Sequence, residues 1–285
     1  MVKYRNPLTG EWETLSVAIA YAGETPSEPV EKEAFFPPEN ILSYIKKEAT
    51  EIAEKVRSVQ TSDSITFITL SDGHFYNKQG TYSDGLNTDI SNEHANAAIK
   101  TLSYMLDVDF MAHLGDVSWG AGDTTPSVLK GQIEKSLSFF DEANSNIPCF
   151  AAIGNHDSGT YGNEILDGEY LFEHFTELSA SENTVFGGEE YGGYCYRDFP
   201  GKKFRVFLLN TSEEIIKNKT DNATLGSQRK WLANALLELN TKSDAAKWGF
   251  FILCHYPADY GATMPLSNLL KAYVDGESIS ITDEN

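Results

Sequence analysis

Asp72, His74, Asp116, Asn155, His156, Asp157 and His255 have side chains that hold metal ions or move protons, and they cluster just beyond apolar stretches. Ser71-Asp72-Gly73-His74 follows the run Ile65 to Leu70, and Gly115-Asp116 follows Val108 to Leu114. Gly154-Asn155-His156-Asp157 follows Pro148 to Ile153, and His255 follows Trp248 to Cys254. Carboxylates, an amide oxygen and imidazoles form a mixed nitrogen and oxygen donor set. Such a set suits Zn²⁺, Mn²⁺ or Fe rather than a thiolate centre. An Asp-x-His pair or a Gly-Asp pair is by itself commonplace at a turn. Gly-Asn-His-Asp is more specific, because a turn uses Gly and Asn but has no need of His followed by Asp. All four in this order, each after an apolar run, point to metal-dependent chemistry.

For these residues to meet, the apolar runs must be strands whose C-terminal ends share one edge of a sheet, where open α/β folds build their sites. Helical patterns separate them. Ser91 to Leu106 reads as a helix with Ser91 as its N-cap, Pro126 to Ala143 as a second and Leu225 to Leu239 as a third. Tyr194 to Phe199 and Phe204 to Asn210 read as a hairpin across Pro200-Gly201. The alternation predicts a layered α/β domain with both parallel and antiparallel pairing.

The motifs Asp72-x-His74, Gly115-Asp116, Gly154-Asn155-His156-Asp157 and His255 resemble those of the calcineurin-like metallophosphoesterase superfamily. The stretches His113-Leu114-Gly115-Asp116, Leu208-Leu209-Asn210-Thr211 and Gln228-x-x-Trp231-Leu232 are similar too. The resemblance covers roughly residues 64 to 260. It implies a four-layer α/β/β/α sandwich with the metals at one edge, carried here with a small N-terminal extension. It further implies a phosphoric ester hydrolase, acting on monoesters or diesters with two divalent ions (Mn, Fe or Zn). Asp72 and His74 would bind the first ion, Asn155 and His255 the second, and Asp116 would bridge both. Two close cations need an anionic bridge, and the pair can hold a bridging hydroxide and clamp phosphoryl oxygens. His156 would be the catalytic histidine rather than a ligand, with Asp157 orienting its imidazole.

The family's final motif, Gly-His-x-His, has no counterpart: the histidines stand at 74, 94, 113, 156, 174 and 255. The strand-like Ile279-Ser280-Ile281 near the end favours a truncated chain over a natural loss of two ligands, with metal binding weakened as it stands. His94 and His174 read as surface residues on helices. His113 reads either as support for a ligand or as a structural, hydrogen-bonded residue. Ser158 to Gly193, with its aromatic residues and glycines, is either a wall or lid over a pocket or a satellite core. Cys149, Cys195 and Cys254 read as buried reduced thiols.

Lys and Arg total 22 against 42 Asp and Glu, a formal net charge of −20. That balance repels phosphate backbones, so nucleic acid is disfavoured as a partner and a phosphorylated small molecule or ester is expected. Residues 1–60 read as an extension with linker and helix, and 61–285 as the phosphoesterase domain. Pro38 to Val59 reads as a helix whose apolar stripe (Ile41, Ile45, Ile52, Val56, Val59) either docks on the domain or makes a homo-oligomer through residues 38–59. The absence of a signal-like or membrane-spanning segment suggests a cytoplasmic protein. The segment Tyr4-Arg5-Asn6-Pro7-Leu8-Thr9-Gly10 resembles attachment regions of phage tail proteins, which sets a virion-associated structural protein with a degenerate phosphoesterase fold as the alternative.

Overall fold

The computed structural model describes residues 3–5, 12–14, 19–20, 42–75, 88–122, 125–143, 147–159, 161–162, 166, 168–175, 183–187, 193–212, 223–257 and 264–281. The linker-like stretch 23–38, the expected helix start at Pro38, and Ile41 lie outside the described residues, as does the tip of the Tyr4 to Gly10 turn.

Two four-stranded sheets form the centre. In the first, β3 (Ile19–Ala20), β4 (Ile65–Leu70), β5 (Phe110–His113) and β7 (Cys149–Ala151) lie in that order. β4, β5 and β7 are parallel, and β3 is antiparallel to β4 at the edge. The second sheet runs β12 (Gly249–Leu253), β11 (Phe204–Leu208), β10 (Tyr194–Phe199), β9 (Thr184–Gly187). β11 and β12 are parallel, while β9, β10 and β11 form antiparallel pairs. Two two-stranded pairs complete the strands among the described residues: β1 (Lys3–Arg5) with β2 (Trp12–Thr14), and β6 (Ala121–Gly122) with β8 (Tyr161–Gly162).

The layers follow from the two-residue period of a strand. On β7 and just past its end, Phe150 and Ala152 face the second sheet and join Phe110, Ala112, Phe204, Val206 and Leu208 in the inter-sheet core. Cys149 points the other way, packing with Ile68 and Met111 against α1 (Ser43–Arg57) and α2 (Thr88–Met105). On β11 the opposite parity, Phe207 and then Leu209, meets α5 (Ala223–Leu239) and α6 (Met264–Asp275). α3 (Pro126–Ala143) and α4 (Gly168–His174) pack beside β7 through Leu129, Ile133, Tyr170 and Phe175. Each buried Leu, Ile or Phe removed from water contributes about 1.5–3 kcal/mol. The result is the expected helix, sheet, sheet, helix stack.

Several boundaries differ from the sequence reading. α2 begins at Thr88, so Ser91 lies inside the helix rather than capping it. α1 ends at Arg57, and Val59 is exposed beyond it. The buried face of α1 is Ile45, Ala49, Ile52, Ala53 and Val56, packed against α2 and the first sheet. Ile45, Ile52 and Val56 of the expected stripe are therefore buried within the chain itself. Gln60 Nε2 fixes the junction by donating to Asp107 O at 2.7 Å and Thr66 Oγ1 at 2.8 Å. Part of the Ser158 to Gly193 stretch is core (α4) and part is sheet edge (β9). Ile279-Ser280-Ile281 is not a strand, and α6 was not anticipated. No helix among the described residues is long and apolar enough to cross a membrane.

Candidate metal centre

Beyond the ends of β4 and β5 the backbone pairing continues into the loops. Leu114 N–H donates to Leu70 O at 2.7 Å, Asp72 N–H to Gly115 O at 3.0 Å and His74 N–H to Asp116 O at 2.9 Å. The two loops are thus held at fixed register, with Asp72, His74 and Asp116 on facing turns. All three have left-handed backbone, with φ of 57°, 46° and 54°. For non-glycine residues such geometry costs on the order of 1 kcal/mol or more each and survives where surroundings enforce it, often at functional sites. Gly154 permits the closest approach of the next loop: a Cβ there would lie 2.0 Å from Asp116 N and 2.1 Å from Asp116 Oδ1.

The side chains converge on Asp116. Its Oδ1 accepts the His156 N–H at 2.9 Å. Its Oδ2 lies 3.7 Å from His74 Nε2 and 3.5 Å from His255 Nε2. Among the described residues, two groups of donors have ligand atoms within 4.8 Å of one another: His74, Asp116 and His156, and Asp72, Asp116 and His255. Asp116 belongs to both. His74 Nε2 is also 3.9 Å from Asp72 Oδ1, so Asp72 stands beside His74 as well as His255. The family-implied pairing of Asp72 with His74 is one of two that the distances allow. Asp72 is the exposed member at 56% of its side chain, against 4% for Asp116, so the cluster opens on the Asp72 side.

The donor set fits divalent cations. Burial pushes the Asp116 carboxyl up to about 7, against the N–H donated by His156 and with help from Asp72. Burial pushes His74 down to about 4, with His156 adding to the effect, and lowers His156 against the Trp119 carbonyl. A buried carboxyl that resists ionisation and neutral imidazoles beside it are groups that a cation would stabilise as ligands. Asn155 Oδ1 sits 3.0 Å from His255 Nε2, while His255 Nδ1–H donates to Leu114 O at 2.9 Å. With its proton on Nδ1, the ring presents a lone pair to an amide oxygen. Two acceptors facing each other would be reconciled by a shared cation or by a half-turn of the amide.

Asp157 does not orient His156. Its Oδ2 accepts from Asp116 N–H and Gly154 N–H, both at 2.8 Å, and its Oδ1 accepts from Ser118 N–H and Oγ–H, both at 2.9 Å. It is fully buried and ties the Gly115-Asp116 and Gly154-Asn155 loops together. The His156 ring is held by Trp119: Nδ1–H donates to the Trp119 carbonyl at 2.5 Å, and the two rings stack at 5.0 Å and 28°. Neither Trp119 nor Tyr256, whose hydroxyl donates to Asn155 Oδ1 at 2.6 Å, was apparent in the sequence. Gln228 pairs with the backbone of Asn210, its Oε1 accepting from the N–H at 2.8 Å and its Nε2 donating to O at 3.1 Å. That pairing accounts for two of the supporting stretches as scaffold.

The remaining histidines differ among themselves. His94 Nδ1 lies 2.6 Å from Tyr44 Oη, and His174 stacks on Tyr170 at 4.1 Å. Both are partly exposed on helices. His113 is buried on β5, and burial pushes it down to about 3, with Asp72 opposing and His255 and His74 adding. Cys149 and Cys195 are buried and Cys254 partly so, all three as free thiols.

A family model described as calcineurin-like phosphoesterase matches residues 65–277. No curated protein matches the chain.

Proposed function

Because the chain belongs to the calcineurin-like phosphoesterase family, we propose that it hydrolyses phosphoric esters with two divalent cations held by Asp72, His74, Asp116, Asn155 and His255. The observation that carries this reading is the membership of Asp116 in two donor groups at once. A carboxylate shared in that way offsets the repulsion between neighbouring cations. Bound cations would supply Lewis acidity, polarising the phosphoryl oxygens and lowering the pKa of water.

The chain's own residues do the rest. Asp72 lies at the open side of the cluster, where a phosphate group can approach. His156 is the proposed catalytic residue. With Nδ1–H held by the Trp119 carbonyl, its Nε2 is the atom that meets the substrate. An arriving phosphate anion favours the imidazolium, which can then donate Nε2–H to a phosphoryl or leaving oxygen. Asp157 keeps the two loops in register throughout. The net charge of −20 supports a small phosphorylated substrate over nucleic acid.

The test is metal add-back. Protein stripped with a chelator is assayed on p-nitrophenyl phosphate and on bis(p-nitrophenyl) phosphate, before and after Mn²⁺, Fe²⁺ or Zn²⁺ is returned. Hydrolysis of at least one ester restored by metal is expected, and the ratio of the two rates reports monoester against diester preference. No hydrolysis of either ester with any of the three metals overturns the reading.

A further inference from the structure

Asn155 can present either its oxygen or its NH₂ to the cluster, since half a turn of the amide exchanges them. In the first orientation it is a ligand, and in the second it is not. His255 pulls the wrong way: its Nε2 lone pair, 3.0 Å from Asn155 Oδ1, would favour the NH₂. Something else must hold the oxygen in place.

We propose that Tyr256 is a positioning residue that keeps the Asn155 amide oxygen turned toward the cation, an inference that rests on the metal reading of the site. Tyr256 is anchored along its length. Its backbone N–H donates to Thr211 Oγ1 at 2.9 Å, and Thr211 is fully buried. Its ring packs edge-on to His255, with centroids 4.9 Å apart at 78°. Its hydroxyl then donates to Asn155 Oδ1 at 2.6 Å, the short separation of an O–H···O bond. At 2.6 Å the contact lies within the O–H···O range and below the N–H···O range, so an NH₂ turned toward the same hydroxyl would be crowded. A hydrogen bond of this kind on a ligand raises metal affinity by orienting the donor before the ion arrives.

The experiment is a Mn²⁺ titration of the full chain, read by calorimetry and by electron paramagnetic resonance, for wild type, Tyr256→Phe, Asn155→Ala and the double variant. Tyr256→Phe should weaken one of two Mn²⁺ sites by about 10-fold or more, within the range usual for such outer partners. At equal loading it should show more of the six-line signal of isolated Mn²⁺ and less of the coupled pair. In the Asn155→Ala background the Tyr256→Phe change should cost nothing further, since the two residues act as one unit. Wild-type Mn²⁺ affinity in Tyr256→Phe overturns the proposal. So do additive losses in the double variant, or a fall in turnover with affinity unchanged, which makes Tyr256 a substrate contact instead. A wild type that binds two Mn²⁺ yet hydrolyses no ester removes the proposed function and leaves this inference standing. A wild type that binds none of Mn²⁺, Fe²⁺ and Zn²⁺ in the same titration overturns both.

Discussion

The carboxylate of Asp157 accepts the backbone N–H of Asp116 at 2.8 Å, across a separation of 41 residues in sequence. One buried side chain thus sets the position of the residue on which the other donors converge. Its remaining partners, Gly154 N–H and Ser118 N–H and Oγ–H, belong to the same two loops.

Asp157→Ala should therefore destabilise the fold as well as the site. It leaves buried donors without acceptors, each at a cost of about 1–3 kcal/mol. Asp157→Asn should lose less, because its amide oxygen still accepts. Urea unfolding of the metal-free protein measures both. A loss below about 1 kcal/mol for the alanine variant contradicts the clamp.

Gly154→Ala probes the same junction sterically. The added methyl would have to displace Asp116, whose N and Oδ1 lie 2.0 and 2.1 Å from its position. Overpacking of this kind costs about 1–3 kcal/mol or more, and here it also moves the shared carboxylate. Metal titration should show at least a 10-fold loss of affinity in the variant. Unchanged affinity would mean that the loop has slack the structure does not have.

How far the site was legible in the sequence depended on what each residue's role rests on. Asp72, His74, Asp116 and His255 stand at strand ends, and apolar runs such as Ile65–Leu70 mark those ends directly. Adjacency misled for Asp157. It follows His156 in the chain, yet the turn at 154–159 sends it inward to backbone N–H groups while the imidazole stays at the surface of the cluster. Trp119 acts on His156 through its backbone carbonyl and ring face, and no residue pattern encodes a carbonyl direction. Tyr256 reaches Asn155 across 101 positions, a contact set by the packing of the two sheets. α3 (Pro126–Ala143) was legible because Pro opens it and its apolar face repeats at helical spacing. β9 was hidden because Val185 and Phe186 are exposed on the edge strand, so they lack the buried-strand signature.

His113 gives the stability a pH dependence. Burial holds it down to about 3 in the folded protein, against 6.5 without burial. Between those values the unfolded chain binds the extra proton, so stability falls as pH drops from 6.5 towards 3. His74, held at about 4, acts in the same direction. Asp116, held up at about 7, acts oppositely, because there the folded state keeps the proton as pH rises past 4. Comparing metal-free wild type with His113→Gln isolates the first effect. The variant should lose less stability than wild type between pH 6.5 and pH 4, and equal losses would contradict the buried neutral imidazole.

Arg205 is a control remote from this chemistry. Its buried guanidinium pairs with Asp198 at 2.6 and 3.0 Å, reaches Glu238 at 3.2 Å, and lies 3.6 Å from the Tyr196 ring centre. Arg205→Ala should cost about 3–5 kcal/mol by leaving Asp198 underpaired and a void beneath α5. Metal stoichiometry and hydrolysis per folded molecule should stay at wild-type values. Loss of metal from a protein that is still folded would show that this network reaches the site.

The central claim is that Asp116 joins two cation sites into one hydrolytic centre, and Asp116→Asn tests it most directly. The exchange keeps size and an acceptor oxygen while removing the charge. Mn²⁺-loaded wild type and variant are compared for bound metal and for hydrolysis of p-nitrophenyl phosphate and its bis-ester. The expected result is two Mn²⁺ falling to one or fewer and a loss of turnover of at least about 100-fold, the scale of removing a principal electrostatic contributor. Two tightly bound Mn²⁺ and undiminished turnover in Asp116→Asn would contradict it.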